Sequence, residues 1–206
     1  MKKFHLPDLD SIQFCNDNDD IHQYHYYQNE TIQSHLYRHH EYKYCQFENI
    51  IFENTTFDNA YFMDVIFIKC DLSNIKFDSC LFRHVLFIEC KLMGTDFTDS
   101  VFDNVGIEES LCRFANFSFM KNKAISFEHC NLENASFIEV QMSKTTFQDC
   151  SLRQCEFHHS RLNHIDLSSC DTNQIITTTQ DIQGVIIDSH QAIDFIHLLN
   201  IQIKDI

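Results

Sequence analysis

The sequence predicts an all-β solenoid built from square coils of twenty residues. From residue 47 to residue 167, fifteen of the twenty-five positions whose numbers end in 2 or 7 are Phe and six are Leu. A second register, two residues earlier, holds Ala, Cys, Ser, Thr or Val at twenty of its twenty-five positions. The chain has 20 Phe but only 3 Gly and 1 Pro, which argues against a fold made of many tight hairpins.

A period of five residues fits neither a helix nor a flat strand. A helix repeats every 3.6 residues, and strict alternation in a strand would send successive Phe to opposite faces. Every large apolar residue can be buried if the chain turns a corner after five residues and points one large and one small side chain inward on each side. Four such sides close a coil.

Repetition at multiples of twenty residues supports this closure. Cys70, Cys90, Cys130 and Cys150 recur with that spacing, and Phe57, Phe77, Phe97, Phe117, Phe137 and Phe157 form a continuous column. Coils stacked at the strand spacing of about 4.8 Å would make residues 45–170 a rod of roughly six coils, about 30 Å long.

The coil sorts the outward residues onto four sides, each named here after one inward residue. Following the chain, these are the Phe47 side, the Leu72 side, the Phe57 side and the Phe62 side, so that the Phe47 and Phe57 sides lie opposite each other. Each side contains one inward residue per coil, and these inward residues are twenty positions apart. The outward residues of a side are the neighbours of these inward residues in the sequence.

Acidic residues are concentrated on two opposite sides. The chain has 30 acidic and 15 basic residues, for a net charge of −15, so we expect no direct binding to nucleic acid. The surplus of acid indicates either a partner with a positive groove or simply a soluble acidic protein, and the net charge alone does not separate these two options. Two acidic ridges could occupy a groove built for two phosphate backbones. The Phe62 side is basic and the Leu72 side is balanced. The Phe47 side carries Glu48, Glu89, Glu108, Glu109, Glu128, Asp149 and Asp166 against Lys69, and the Phe57 side carries Asp58, Asp78, Asp96, Asp99, Glu139 and Glu156 against Lys76.

The Phe47 side also carries apolar residues that are predicted to point outward. Ile66 and Ile68 lie one coil below Leu86 and Ile88. A stacked cluster of four apolar side chains indicates a contact patch for a partner. The alternative is a locally shifted strand that turns these residues inward.

The cysteines and histidines do not predict a metal site, a disulfide scaffold or a cofactor. Eight of the 10 Cys fall in the small inward register, where a thiol acts as a small buried hydrophobe, and parallel columns do not converge on a metal. The 13 His are interpreted as solvated residues on outer corners.

No catalytic constellation, membrane segment or secretory segment is recognisable. The sequence lacks a plausible activated nucleophile, metal set or phosphate loop, so we do not expect an enzyme. Its beginning is too short and too acidic for a secretory signal, and no apolar run reaches the roughly 20 residues of a membrane span. The expected location is the cytoplasm.

The pattern divides the chain into three segments. Residues 1–44 are expected to form an irregular N-terminal segment and a degenerate first coil, residues 45–170 the regular solenoid, and residues 171–206 the last coil and a C-terminal cap. Asn122 stands in a core position, and Phe114 and Phe119 lie out of register, so a bulge is expected within 110–124.

The tail changes its period and predicts a short helix. Asp188 can cap the helix, with Gln191 as its capping-box partner. Ala192, Ile193, Ile196 and Leu199 form an apolar stripe that Phe195 and Leu198 widen, and Ile201 and Ile203 alternate as a short strand. This helix could plug the last coil or join two copies of the chain.

The five-residue consensus resembles the pentapeptide repeat family, whose fold is a right-handed quadrilateral β-helix. Within that family, residues 181–203 and "VGIEESLCRFANF" at 105–117 are similar to the Qnr and MfpA group. The resemblance implies that the helical cap joins two rods tail to tail as a homodimer. It also implies a DNA mimic that binds the type II topoisomerases DNA gyrase and topoisomerase IV and protects them from fluoroquinolones. The expected interface residues are Ile193, Phe195, Ile196, Leu199, Ile201 and Ile203.

The two acidic sides and the apolar patch are the predicted partner-binding surface. The alternative function is an interaction or scaffold rod for another protein partner.

Overall fold

The computed structural model describes residues 10–11, 20–199 and 201. Short strands occupy most of its N-terminal half, and a helix with a following 3-10 turn, His197–Leu199, lies near the C-terminus. None of the helical segments in this part of the chain has the length and hydropathy needed to span a bilayer. The strands are β1 Asp10–Ser11, β2 Ile21–Gln23, β3 His25–Gln28, β4 Thr31–Gln33, β5 Leu36–Arg38, β6 Glu41–Lys43, β7 Gln46–Glu48, β8 Ile51–Glu53, β9 Thr56–Asp58, β10 Tyr61–Ile68, β11 Lys76–Asp78, β12 Leu81–Ile88, β13 Val101–Glu108, β14 Lys121–Glu128 and β15 Thr145–Gln148, and the helix is α1 Ala192–Ile196.

Apart from β1, which pairs with β3 at a separation of fifteen residues, and one shifted position between β13 and β14, each strand pairs in parallel with the residues twenty positions away. Phe62 pairs with Phe82, which in turn pairs with Phe102, and single bridges continue the ladder as far as Asp166 and Ile186. One large sheet covers the Phe62 and Phe47 sides, while β5, β9 and β11 lie on the Phe57 side and β4 and β8 on the Leu72 side. The predicted four-sided coil of twenty residues is confirmed.

The corners of the coil depend on a left-handed backbone. Almost every position that ends in 4 or 9, from Tyr24 (φ 62°) to His164 (φ 64°), has a positive φ. Asn, Asp and His tolerate this region better than other residues with a Cβ atom, and they recur at these positions. The chain therefore turns every five residues with little need for glycine.

Large side chains fill the interior as ladders of stacked rings. Phe77 lies 5.1 Å from Phe57 and 5.1 Å from Phe97, measured between ring centroids, with interplanar angles of 9° and 3°. All three rings are buried. The predicted contact of Phe77 with its neighbours one coil below and above is confirmed.

The small inward residues satisfy backbone carbonyls of the neighbouring coil. The Cys70 thiol donates to the carbonyl oxygen of Phe47 at 3.4 Å, and the Thr95 hydroxyl donates to that of Leu72 at 2.8 Å. A small residue with one donor hydrogen thus fits the space and meets the buried acceptor. No disulfide joins the described cysteines, and burial raises the pKa of the Cys80 thiol to about 12, so the thiols serve packing.

The ladder begins earlier than the pattern of small residues indicates. Tyr27 and Tyr42 are buried and stack on Phe47 and Phe62 at 4.9 and 5.0 Å. Asp10–Ser11, within the segment expected to be irregular, pairs in parallel with β3. The remaining residues of 1–19 lie outside the described part of the chain.

One histidine contradicts the expectation of solvated corner positions. His22 is fully buried, stacks on Tyr42 at 4.4 Å and lies within hydrogen-bond distance of Tyr27 and His40. It occupies the large inward register one coil before Tyr42, where an imidazole can stack as an aromatic ring.

The expected irregularity within 110–124 is confirmed, at its C-terminal end. The register of β13 and β14 shifts so that Asp103 pairs with Ala124, whereas Val105 again pairs with Ile125 twenty residues away. The Nδ2 of Asn122 donates to the carbonyl oxygen of Gln141 at 2.9 Å. Phe114 and Phe119, by contrast, occupy regular corners, both with φ 60°.

The C-terminal helix closes the last coil. The predicted capping box is present: the Asp188 amide donates to the Gln191 side chain at 2.8 Å, and the Gln191 amide donates to the Asp188 carboxylate at 2.9 Å. The Gln191 side chain also donates to the carbonyls of Leu167 and Cys170. Phe195 is 6% exposed and belongs to the core. Its expected place in a dimer interface is therefore corrected, because its ring packs within its own chain.

Replacing Phe97 by Ala tests the ring ladder. Phe97 is fully buried between Phe77 and Phe117, and a continuous column leaves little room for neighbours to collapse into the cavity. We expect Phe97→Ala to lower the free energy of unfolding by about 3–5 kcal/mol, measured by urea titration. The control is Phe119→Ala at an exposed corner, where a change below about 0.5 kcal/mol is expected. Equal effects of the two substitutions would contradict the ladder.

Candidate partner-binding surface

The Phe47 side carries a stack of three carboxylates without cationic partners. Glu108 and Glu128 are paired neighbours on β13 and β14, and Glu109 is exposed at the adjoining corner. Among the described residues, no Lys, Arg or His forms an ion pair with any of the three. Negative charge is thus concentrated on one side of the rod at the coil spacing.

The pKa of Glu108 is raised by burial and, in addition, by this concentration of charge. Partial burial is the main cause that raises the pKa of its carboxyl group above the ordinary value of 4.5, and the charges of Glu128 and Glu109 add to the shift. The ionised form is therefore held at a cost to the folded state.

Other acidic residues of the Phe47 side have polar or cationic neighbours. The Tyr26 hydroxyl donates to Glu48 at 2.6 Å, and this bond raises the pKa of the tyrosine. Glu89 lies 3.7 Å from Lys69, and Asp149 lies 3.8 Å from the imidazole of His129. The stack of Glu108, Glu109 and Glu128 is therefore the least compensated part of this side.

The Phe57 side is less negative than its residue count indicates. Asp58 pairs with Arg38 at 2.7 Å, and the hydrogen bond from that guanidinium is the main cause that lowers the pKa of Asp58. Asp78 pairs with Lys76 at 2.9 Å, while Asp96 accepts a hydrogen bond from the Thr98 amide at 3.0 Å. Such internal partners reduce the charge that this side offers to another molecule.

Two acidic residues on the edge of the Phe57 side are exposed and have no ion-pair partner among the described residues. Asp99 and Glu139 are exposed at corner positions, and within the described part of the chain neither forms an ion pair. Glu156, in contrast, lies 2.7 Å from His158. The two acidic sides predicted from sequence are thus unequal.

The apolar patch of the Phe47 side has the predicted stacked arrangement. Ile66 pairs with Leu86, and Ile68 pairs with Ile88. The inward Phe67 remains fully buried, so the alternative of a locally shifted strand is wrong. The expected exposure of Leu86 is corrected, because its side chain is only 9% exposed, and the other three residues are half-buried. On the next coil, Ile88 pairs with Glu108, which places the patch beside the acidic stack.

The C-terminal cap presents several apolar side chains to solvent. Ile193, Leu199 and Ile201 are 63%, 58% and 54% exposed. Ile196 is half-buried, and Leu198 packs partly against the core. Ile201 is not part of a strand, contrary to the expected alternation, and Ile203 lies outside the described residues.

The described part of the chain brings together no group of three His, Cys, Asp or Glu residues that could hold a metal ion. The geometry of this surface therefore offers charge and apolar contact.

Comparison with known proteins identifies the repeat. The family model for the pentapeptide repeat region matches residues 41–117 and 120–192. The chain belongs to the pentapeptide repeat family. No curated protein sequence matches it significantly.

Solved structures of a plasmid-mediated fluoroquinolone resistance protein, QnrB1, share the fold of this pentapeptide repeat protein. One trypsin-treated point variant of QnrB1 is 20% identical, with a TM-score of 0.56, over 95% of this chain and 96% of that chain. A second trypsin-treated point variant is 19% identical, with a TM-score of 0.53, over 85% of this chain and 99% of that chain. At this identity, the likeness extends to the fold alone.

Sequence reasoning missed two exposed residues of the pentapeptide repeat rod. Phe114 and Phe119 were interpreted as part of a bulge, whereas both stand on regular corners with exposed rings. Their numbers end in 4 and 9, so the five-residue count itself places them there.

Neutralising Glu108 tests whether the acidic stack costs stability. A pKa that is raised in the folded state means that the ionised carboxylate destabilises the fold at neutral pH, and this penalty disappears as the pH falls below the unfolded value. We therefore expect Glu108→Gln to raise the melting temperature at pH 7, with the difference shrinking as the pH falls through and below 4.5.

The control is Glu133→Gln, because Glu133 pairs with Arg113 at 3.3 Å and its neutralisation should bring no gain. If Glu108→Gln lowers the melting temperature at pH 7, the ionised Glu108 carboxylate does not destabilise the fold.

Proposed function

We propose that this pentapeptide repeat protein is a non-catalytic mimic of DNA in the cytoplasm. It binds DNA gyrase, topoisomerase IV or both, and it protects these enzymes from fluoroquinolones. The observation that carries the proposal is the uncompensated stack of Glu108, Glu109 and Glu128 on one side of the rod.

The arrangement of this stack suits a surface that normally holds a phosphate backbone. DNA presents closely spaced negative charges along a rigid axis, and a solenoid holds carboxylates at the coil spacing of about 4.8 Å. Held charges need little ordering when a partner binds, which lowers the cost of association. A net charge of −15 also favours encounter with a cationic groove and disfavours nucleic acid itself.

The energetic cost of ionising Glu108 in the folded protein is a second observation that supports the proposal. Partial burial, with the charges of Glu128 and Glu109 in addition, raises the pKa of Glu108, and carboxyl groups with perturbed pKa values gather at functional sites. The apolar patch beside the stack adds area that can be desolvated. The shared fold with QnrB1 structures agrees with the proposed protection.

The proposed surface has two parts, on the opposite Phe47 and Phe57 sides of the rod. Its centre is the acidic stack with the patch formed by Ile66, Ile68, Leu86 and Ile88. Because the acidic residues of the Phe57 side mostly have partners within the chain, we expect them to contribute less to the binding of the topoisomerase.

Charge reversal on the Phe47 side tests the function. We expect the combined Glu108→Lys, Glu109→Lys and Glu128→Lys variant to lose most binding to gyrase and topoisomerase IV, because negative charges become positive at the centre of the surface. Gyrase supercoiling in the presence of ciprofloxacin should then show no protection. Binding of the unmodified chain should weaken steeply with salt.

The matched control reverses three acids of the Leu72 side: Glu53, Asp71 and Glu133. Asp71 and Glu133 have ion-pair partners, but these are surface pairs of small energetic weight, and melting curves check both triple variants. Equal behaviour of the two variants would remove the Phe47 side as the recognition surface. If the unmodified chain binds neither enzyme, the alternative of a rod for another protein partner is favoured.

We further propose that two chains join through their C-terminal caps. Phe195 already serves its own chain, so the proposed interface is formed by Ile193, Leu199 and Ile201, with Ile196 at its edge. Their exposure leaves apolar surface that a second copy can cover.

Introducing a charge into the cap tests this assembly. Ile193 and Leu199 are exposed, so Asp at either position should leave the coil intact but place an unpaired carboxylate in the interface. We expect light scattering to give the mass of a dimer for the unmodified chain and of a monomer for Ile193→Asp or Leu199→Asp. A monomeric unmodified chain at micromolar concentration would contradict the proposal.

A further inference from the structure

Two exposed phenylalanine rings stand on consecutive corners of one coil. Phe114 is 56% exposed and Phe119 is 45% exposed, and each has a backbone φ of 60°. A bulky residue is unfavourable in this left-handed region, and an exposed ring gains little from burial. Nearly every corner of the rod shares this backbone conformation, so what sets Phe114 and Phe119 apart is the exposed apolar ring, which the stability of the rod does not explain.

Other aromatic corner residues differ from this pair. Tyr24 and Tyr44 occupy corners in adjacent coils and stack on each other at 5.1 Å. Among the described residues, neither Phe114 nor Phe119 contacts another aromatic ring. The Phe114 ring has the guanidinium of Arg113 at 5.4 Å from its centroid, and this guanidinium is itself paired with Glu133.

The two rings mark the two edges of the Phe57 side. Between them the chain runs through Asn116, the buried Phe117 and Ser118. The corner one coil below Phe119 holds Asp99, and the corner one coil above it holds Glu139, the two exposed acids of this side without ion pairs in the described chain. An apolar ring thus stands between two uncompensated carboxylates.

We infer that Phe114 and Phe119 are anchor residues that enter apolar sockets on the partner, and that cationic side chains of the partner surround the socket for Phe119. This inference rests on the proposed function and names a second contact with the same topoisomerase. Aromatic residues, Phe among them, are enriched at protein interfaces, and the flanking carboxylates select a cationic protein surface. The same carboxylates exclude nucleic acid and anionic membranes as the occupant, because phosphate groups would be repelled.

The two kinds of contact differ in their response to salt. Contacts made by the acidic stack are screened by added salt, whereas burial of a ring is insensitive to moderate salt. A substitution of the rings should therefore change affinity by the same factor at low and at high ionic strength.

Asparagine is the replacement that separates function from structure. It tolerates the left-handed conformation and already occupies neighbouring corners such as Asn104 and Asn134. Phe114→Asn and Phe119→Asn should keep or raise the melting temperature. Each should weaken binding to gyrase or topoisomerase IV by about tenfold or more, as expected for anchor residues.

The experiment measures dissociation constants for the full chain, the two single variants and the double variant at about 0.05 M and about 0.3 M salt. The control is the double variant Leu36→Asn and Ile176→Asn, which removes two apolar side chains of 49% and 43% exposure from the same side of the rod, far from the anchors. We expect its dissociation constant to stay within about twofold of the unmodified chain, as for most contact residues outside hot spots.

Each other outcome overturns the inference in a distinct way. If the unmodified chain binds and the double Phe variant binds equally well, the anchors are wrong and the proposed function stands. If the unmodified chain binds neither enzyme, both the proposed function and the assignment of Phe114 and Phe119 as anchor residues are wrong. A lower melting temperature of the Phe variants would show that the rings stabilise the fold. A dimer that becomes a monomer in the Phe variants, measured by light scattering, would show that the rings contact a second copy of this chain.

Discussion

Stacking of one large side chain on the next, coil after coil, is the interaction on which the rest of this structure depends. Ring centroids in the Phe57 column lie 4.9 to 5.2 Å apart, which is close to the spacing of hydrogen-bonded strands. Ring contact and backbone hydrogen bonds therefore share one period. A single inserted residue would break both, so the shift beside Asp103 and Ala124 is cancelled at Val105 and Ile125.

The same period controls the outer surface. Residues twenty apart lie side by side, so an outward residue is next to the equivalent residues of the adjacent coils. Much of the surface uses this neighbour for compensation, as between Arg38 and Asp58 or between Lys91 and Asp71. Glu108 and Glu128 instead place like charges together. Asp58 and Asp78 are also paired neighbours, but each has a cationic partner, whereas Glu108 and Glu128 have none among the described residues.

The sequence predicted the core well and the charge of the surface less well. Five-residue spacing decides which residues point inward, and Phe57, Phe77 and Phe97 lie where the count places them. Counting charges by side could not show that Asp58 and Asp78 are paired, because pairing depends on side-chain reach. Nor could an apolar stripe show that Phe195 turns into its own coil whereas Ile193 and Leu199 face solvent. Those choices depend on how the helix docks.

A rod with a filled interior can act only through its sides, its corners and its ends. Its charged side chains are held on a regular backbone, so binding to an extended cationic groove would need little rearrangement. Complementary charges raise the association rate and fix the orientation of a complex more than they raise its affinity. A surface of carboxylates alone would therefore bind its partner weakly at high salt concentration. The apolar patch formed by Ile66, Ile68, Leu86 and Ile88 can add affinity only as a shallow face, because it is largely covered by its own neighbours. Exposed rings at the corners extend further from the backbone, so the corners are where a solenoid of this kind can reach into a partner.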